Sequence, residues 1–233
     1  MLSFDVSGKL IMNALVMCDR ETESLWSQIL GRAVEGPLAG RELTFVPAWH
    51  TTWEGWKTLL PHTLALAKGY RGSWDSYASY YQSPSAGVLG ETRKDGRLEA
   101  KSWVMGDVAG GRRAKAYPLR ELNKAPLLHD ELGGTSILVV FDPRSGNAIA
   151  YERPMELDFT LLEGTTTEDL QTASTWDGMR PLEGSSIRRL RSTIAFWFGW
   201  KDFYPENGIY SPDASLWPGL SGISWRCDLR RRP

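Results

Sequence analysis

The chain repeats itself, and that constrains its fold more than any other feature. Three blocks recur in the same order. Asp19, Thr22, Ser24 and Trp26 correspond to Asp169, Thr172, Ser174 and Trp176 at identical offsets. Pro37-Leu38-x-Gly40 corresponds to Pro181-Leu182-x-Gly184. Trp53-x-x-Trp56 followed by Pro61 corresponds to Trp197-x-x-Trp200 followed by Pro205. Self-similarity in three anchored blocks predicts a duplicated structural unit. The second unit carries an additional front, residues 102–156. The expected organisation is therefore residues 1–68 as the back half of a first unit, 69–101 as an aromatic-rich connector or lid, 102–210 as a complete second unit, and 211–233 as a C-terminal extension. Together they read as one globular domain.

Most segments have the texture of strands. Leu2–Val6, Leu10–Cys18, Leu43–Val46, Arg113–Tyr117, Ile137–Phe141 and Ala148–Glu152 alternate or run apolar, between Gly, Pro, Asp and Asn turns. Gly110-Gly111 reads as a hairpin turn. His129-Asp130 reads as the start of a turn before Gly133-Gly134. Helices are few. Thr52–Leu60 has a threonine cap, an apolar face at Trp53, Trp56, Leu59 and Leu60, and Pro61 as its stop. Ala195–Phe203 repeats it, and Pro118–Asn123 offers one more turn. The expected fold class is mainly β, a β-dominated α+β fold, with two related units of twisted antiparallel sheet and short helices packed on them.

The chain holds eleven tryptophans in 233 residues. Six form three matched pairs across the repeat. Each buried Trp removes roughly 150–250 Å² from water, an upper bound of about 4–6 kcal/mol at about 25 cal/mol/Å². A few such anchors hold a domain without disulfide or metal. Trp49, Trp74, Trp103, Trp217 and Trp225 are unmatched; of these, Trp49 and Trp74, with Tyr77, Tyr80 and Tyr81, are the candidates for a ligand-facing wall.

The string from Ser7 to Gln28, SGKLIMNALVMCDRETESLWSQ, followed by Gly36-Pro37-Leu38-Ala39-Gly40 and Thr51-Thr52-Trp53-x-x-Trp56, resembles family DUF3179, a bacterial and fungal domain of unknown function. Ala114-Lys115-Ala116-Tyr117-Pro118-Leu119, His129-Asp130-Glu131-Leu132-Gly133-Gly134 and Phe196-Trp197-Phe198-Gly199-Trp200 fit it as well. The resemblance covers nearly all of residues 3–210. Relatives carry a front segment with a His-Glu pair and a Cys-Pro-x-Cys element, which these residues do not contain. Cys18 stands where the family usually has tyrosine, and His129 where asparagine is common. The resemblance implies architecture and no particular activity.

Several functions are disfavoured by composition and motif. Net charge is −1, so nucleic acid is not an expected partner. No apolar run reaches the roughly 18 residues of a spanning helix, and the N-terminus lacks a signal-peptide pattern. The expectation is a cytoplasmic protein with no membrane partner. The arginines at 226 and 230–232 read as a solvated tail. Cys18 and Cys227 form no close pair, and His50, His62 and His129 have no partner at ligand spacing, so no metal is expected. Phosphate-cradling glycine motifs and the nucleophile elbow are absent, so no cofactor is expected.

Candidate site residues come from polar groups present in one repeat only. Arg20, Glu21 and Gln28 are not reproduced in the second unit, while Asp19 also reads as a turn cap. A histidine beside a carboxylate, His129-Asp130, has the chemistry for proton transfer. The expected catalytic set is His129, Asp130 and Glu21. The expected substrate-binding set is Asp19, Arg20, Gln28, Trp49, His50, Trp74 and Tyr77. Exclusion then leads to a metal-free, cofactor-independent enzyme of isomerase, cyclase or lyase type, acting on a small, largely apolar molecule in a biosynthetic pathway. The rival is a non-catalytic small-ligand-binding or protein-interaction module. An uncovered sheet edge or apolar face in the shorter unit supports the rival and predicts a homodimer. A closed pocket containing Gln28 and His129 favours the enzyme; a flat apolar surface favours the module.

Overall fold

Two residues with positive φ, Met12 (48°) and Asn13 (66°), split the apolar run Leu10–Cys18 into two strands. They turn β1 (Phe4–Ile11) back onto β2 (Ala14–Asp19). The structure, a computed structural model, describes residues 1–46, 48–67, 77–109, 113–163, 166–177 and 187–212. Trp74, Trp217, Trp225, the block Pro181–Gly184, the Gly110-Gly111 turn and the arginine tail lie outside those residues.

The remaining elements follow in order: β3 (Leu25–Ser27), β4 (Arg32–Glu35), α1 (Trp53–Leu59), α2 (Ala78–Gln82), β5 (Trp103–Ala109), β6 (Arg113–Pro118), α3 (Leu119–Leu122), β7 (Leu127–Leu132), β8 (Thr135–Asp142), β9 (Asn147–Glu152), β10 (Phe159–Glu163), β11 (Thr166–Asp169), β12 (Thr175–Asp177), β13 (Ser192–Phe196), α4 (Trp197–Phe203) and β14 (Gly208–Ile209). The fold is β-dominated, as its alternating texture predicts. Leu43–Val46 is not a strand. His129 and Asp130 lie within β7, and the turn begins only at Gly133 and Gly134, both at positive φ. β-pairing with the apolar β8 overrides the polar, turn-like look of the segment.

The four sheets are β1-β2-β3-β4, β13-β5-β6-β14, β7-β8-β9 and β10-β11-β12. All pairs are antiparallel except β14 with β6. Strand alternation sets the layers. Met105 and Tyr117 face the β7-β8-β9 sheet, meeting Leu128, Leu132, Ile137, Val139, Phe141, Ala148 and Ala150 in the main core. The opposite face of β7-β8-β9, with Leu138 and Val140, packs on Phe159 and Trp176. The outer face of β5-β6, with Val104, Ala114 and Ala116, is covered by Trp197 and Trp200 of α4.

The two Asp-to-Trp blocks matched in sequence make similar strand pairings. Phe4 pairs with Asp19 and Met17 with Trp26; Phe159 pairs with Asp169 and Thr167 with Trp176. The connecting turns both place a residue at positive φ, Glu23 (57°) and Ala173 (53°). The first meander meets the rest of the chain through Ile29, whose carbonyl accepts from Arg191 (2.6 Å) and Tyr204 (3.2 Å), and through Asn13, which bonds the backbone of Leu89 and Gly90.

Candidate functional site

Asp19 ends β2, and its carboxylate ties a tight turn together. It accepts from the Thr22 backbone (2.6 Å) and hydroxyl (2.8 Å) and from the Trp26 indole (2.8 Å). Burial pushes this carboxyl up, but the bonds from Trp26, Thr22 and the backbone outweigh it and hold it below the usual carboxylate range. Asp169 makes the same set with Thr172 and Trp176, and the Trp176 bond leads in lowering its pKa. Asp19 is fully buried, and its carboxylate is engaged in holding this turn.

The other expected site residues are engaged separately. Glu21 accepts the Ser3 backbone N–H (2.8 Å), which lowers its pKa. Arg20 makes an exposed ion pair with Asp5 at 2.7 Å. Gln28 is exposed in the β3–β4 turn. His129 and Asp130 point to opposite faces of β7. His129 Nε2 accepts the Phe159 N–H (3.1 Å), so the ring is held neutral with its proton on Nδ1. Burial, and then the charge of Arg153, lower its pKa. Asp130 faces the main core, where it meets Lys115 at 2.6 Å and accepts from Tyr117 Oη (2.9 Å). Trp49 packs edge-on against Trp56, and His50 against Trp103. Tyr77 is exposed before α2.

Two features were not singled out in sequence. The first is Asp107, on the inward face of β5 beside Lys115 and Ser192. It is fully buried, and its Oδ2 has no hydrogen-bond partner among the described residues. Burial pushes its pKa up to about 7. The signal was available: in a period-two strand, Asp107 falls on the same face as Met105. Its neighbour Tyr117 is also pushed up, by burial and then by the Asp130 charge.

The second feature is the contrast between α1 and α4. Both helices begin with Trp-x-x-Trp-Lys, and both end on a residue with nearly the same backbone, Leu60 (φ −129°) and Tyr204 (φ −127°). In α4, Trp197, Trp200 and Lys201 are buried. In α1 no residue is buried. Trp53 is 52% exposed where Trp197 is 0% exposed. The segment around α1 also exposes Phe45, Val46, Leu60, Leu64 and Leu66.

An open groove of about 510 Å³ lies between Arg97, Pro118, Glu121 and Tyr210. Its cations are already paired, Arg97 with Asp95 and both Arg120 and Lys124 with Glu121. None of the expected site residues lines it. Among the described residues no three His, Cys, Asp or Glu side chains form a metal-binding group, and no helix is long and apolar enough to cross a membrane.

Residues 1–207 match the family model described as "Protein of unknown function (DUF3179)". No curated protein and no solved structure matches the chain.

Proposed function

This chain belongs to the DUF3179 family, whose function is unknown, and we propose from its geometry that it is a non-catalytic interaction module which binds a partner protein through the apolar face of α1. The observation that carries this reading is the exposure of Trp53 beside the complete burial of its counterpart Trp197. An exposed Trp flanked by exposed Phe, Val and Leu is a surface prepared for cover. Covering the exposed half of one Trp removes roughly 100 Å² from water, about 2–3 kcal/mol. The reading is further supported by the separate engagements of Glu21, His129 and Asp130, which leave no shared reaction centre. The compartment proposed is the cytoplasm, in line with Cys18 making no disulfide among the described residues.

The test places a photoreactive benzoylphenylalanine at position 53 of the full chain in living cells. The captured protein is identified, purified and titrated against the unmodified chain. The expected result is saturable one-to-one binding, weakened at least tenfold by Trp53→Glu. Capture of a second copy of the chain alone, with dimers seen by light scattering, overturns partner binding in favour of self-association. Absence of any specific adduct overturns the docking role altogether.

A further inference from the structure

The covered helix shows what kind of surface fits the uncovered one. Immediately before α4, residues 192–196 form β13, which pairs antiparallel with β5 along its whole length. Immediately before α1, at the same spacing, residues 48–52 belong to no strand. Trp200 lies directly over Gly106 of β5, where an added Cβ would overlap the indole. Beside Gly106, the β6 positions that face the helix are Ala114 and Ala116. A strap of chain completes the cover. The Trp197 indole donates to the Asp95 carbonyl (3.2 Å), and the Arg97 guanidinium stands 5.3 Å from the Trp197 ring. Lys201 is ion-paired with Glu91 (3.1 Å) and with Asp202, and donates to the Arg93 carbonyl.

Helix α1 carries the same binding groups without a paired strand or strap; Trp56 is half-buried against Trp49 and donates to Thr63, and Trp53 is left open. Trp53 and Trp56 stand where Trp197 and Trp200 stand, and Lys57 stands where Lys201 does. Lys57 lies 5.7 Å from the Trp53 ring, and position 58 is Thr where position 202 is Asp. The cation of α1 therefore lacks the carboxylate that its counterpart has on the next residue. The acid that α1 itself holds is Glu54, one turn back from Lys57, so a cover that buries Lys57 without drawing Glu54 in has to bring the negative charge, because an uncompensated buried ammonium is strongly disfavoured.

Building on α1 as the docking face, we infer that its partner is a β-hairpin. The hairpin pairs antiparallel with residues 48–52, lays glycine or alanine against Trp56, and presents a carboxylate to Lys57. This is strand addition combined with a helix-facing stripe of small residues. Among the described residues, the β5–β6 hairpin of a second copy is not free to dock in this way. Its β5 and β6 are already flanked by β13 and β14, and their small-residue face is filled by α4.

The test appends an extra copy of residues 88–118 to the N-terminus of the full chain through a Gly/Ser linker of about 20 residues. Such a linker spans roughly 25 Å and gives an effective concentration on the order of millimolar, enough to reveal weak docking. The readout is residue-resolved amide hydrogen exchange. Exchange at residues 48–52 is expected to slow at least tenfold relative to the chain without the appendage. Gly106→Val or Glu91→Lys, made in the appended copy only, is expected to restore the original rates, and the native hairpin is untouched by either change. Unchanged exchange at 48–52 overturns the inference, as does slowing that survives Gly106→Val. If position 53 captures a partner while the fusion leaves 48–52 unprotected, docking on α1 stands and the hairpin mode falls. If the fusion protects 48–52 while no partner protein is captured, the hairpin mode stands and the partner-binding function falls.

Discussion

Replacing Asp107 by asparagine should change how stability responds to pH. Asp107 Oδ1 accepts the N–H of the next residue, Val108 (2.7 Å), and Oδ2 accepts nothing among the described residues. The nearest register partner with a positive charge is Lys115, and its ammonium is committed to Asp130 at 2.6 Å. Burial therefore acts almost unopposed and raises the Asp107 pKa from 3.8 to about 7. A carboxyl whose folded pKa lies above its unfolded value stabilises the fold relative to its charged form below about pH 4. That contribution is lost as pH rises through about 7. A displacement of about three pH units at about 1.4 kcal/mol each gives an upper bound of about 4 kcal/mol. Asparagine does not titrate, so whatever its amide costs in that site is the same at every pH. Urea unfolding of both proteins at pH 4, 5.5, 7 and 8 isolates the effect, because the other carboxylates cancel in the difference. The stability of Asp107→Asn minus that of the parent should rise between pH 4 and pH 7 by up to about 4 kcal/mol and level off above. A difference that stays flat over that range would refute the assignment of Asp107 as a buried, unpaired acid.

Other outcomes follow from the same geometry. Trp197→Ala should cost about 3–5 kcal/mol in urea unfolding, whereas Trp53→Ala in the isolated chain should cost about 1 kcal/mol or less, because only the former empties a packed site. Gly106→Val should destabilise by at least about 1–3 kcal/mol, since its side chain meets the Trp200 ring; wild-type stability in this variant would contradict the close approach. Asp19→Ala should lower the thermal midpoint more than Asp169→Ala, because the Trp26 indole it orphans is fully buried while that of Trp176 is only partly so. Asp202→Ala should speed amide exchange at Thr92 and Arg93, whose N–H groups its carboxylate holds at 2.9 and 3.0 Å.

Much of the local structure was legible because it is decided by neighbours in sequence. Asp-x-x-Thr-x-Ser-x-Trp holds a turn at both places in this chain, since the bonds among its own residues span seven residues or fewer. The same holds for the helix at Trp53, capped by Thr52 through a bond to the Gly55 N–H (3.0 Å). The continuous apolar runs of β8 and β9 were readable for the same reason. His129 and Asp130 were harder. Their polarity suggested a turn, and only pairing with β8 makes them strand residues on opposite faces. The candidate site built on them dispersed, because a period of two sends adjacent side chains apart.

The sequence by itself determined the motifs: two Asp-centred turns, two Trp-x-x-Trp helices and the strands around them, all fixed by short-range hydrogen bonds and periodicity. Only the tertiary structure decided what each motif is worth. Helices of similar sequence end up with different exposures, because β5, β6 and the strap at 91–97 cover one, while among the described residues Trp49 and Ser145 touch the other and leave Trp53 open. Burial depends on what is brought alongside, and the local pattern carries only a faint trace of it, Phe198 in α4 where α1 has Glu54. The lone carboxyl of Asp107 became a titrating group for the same reason: its environment is assembled from strands far apart in the chain.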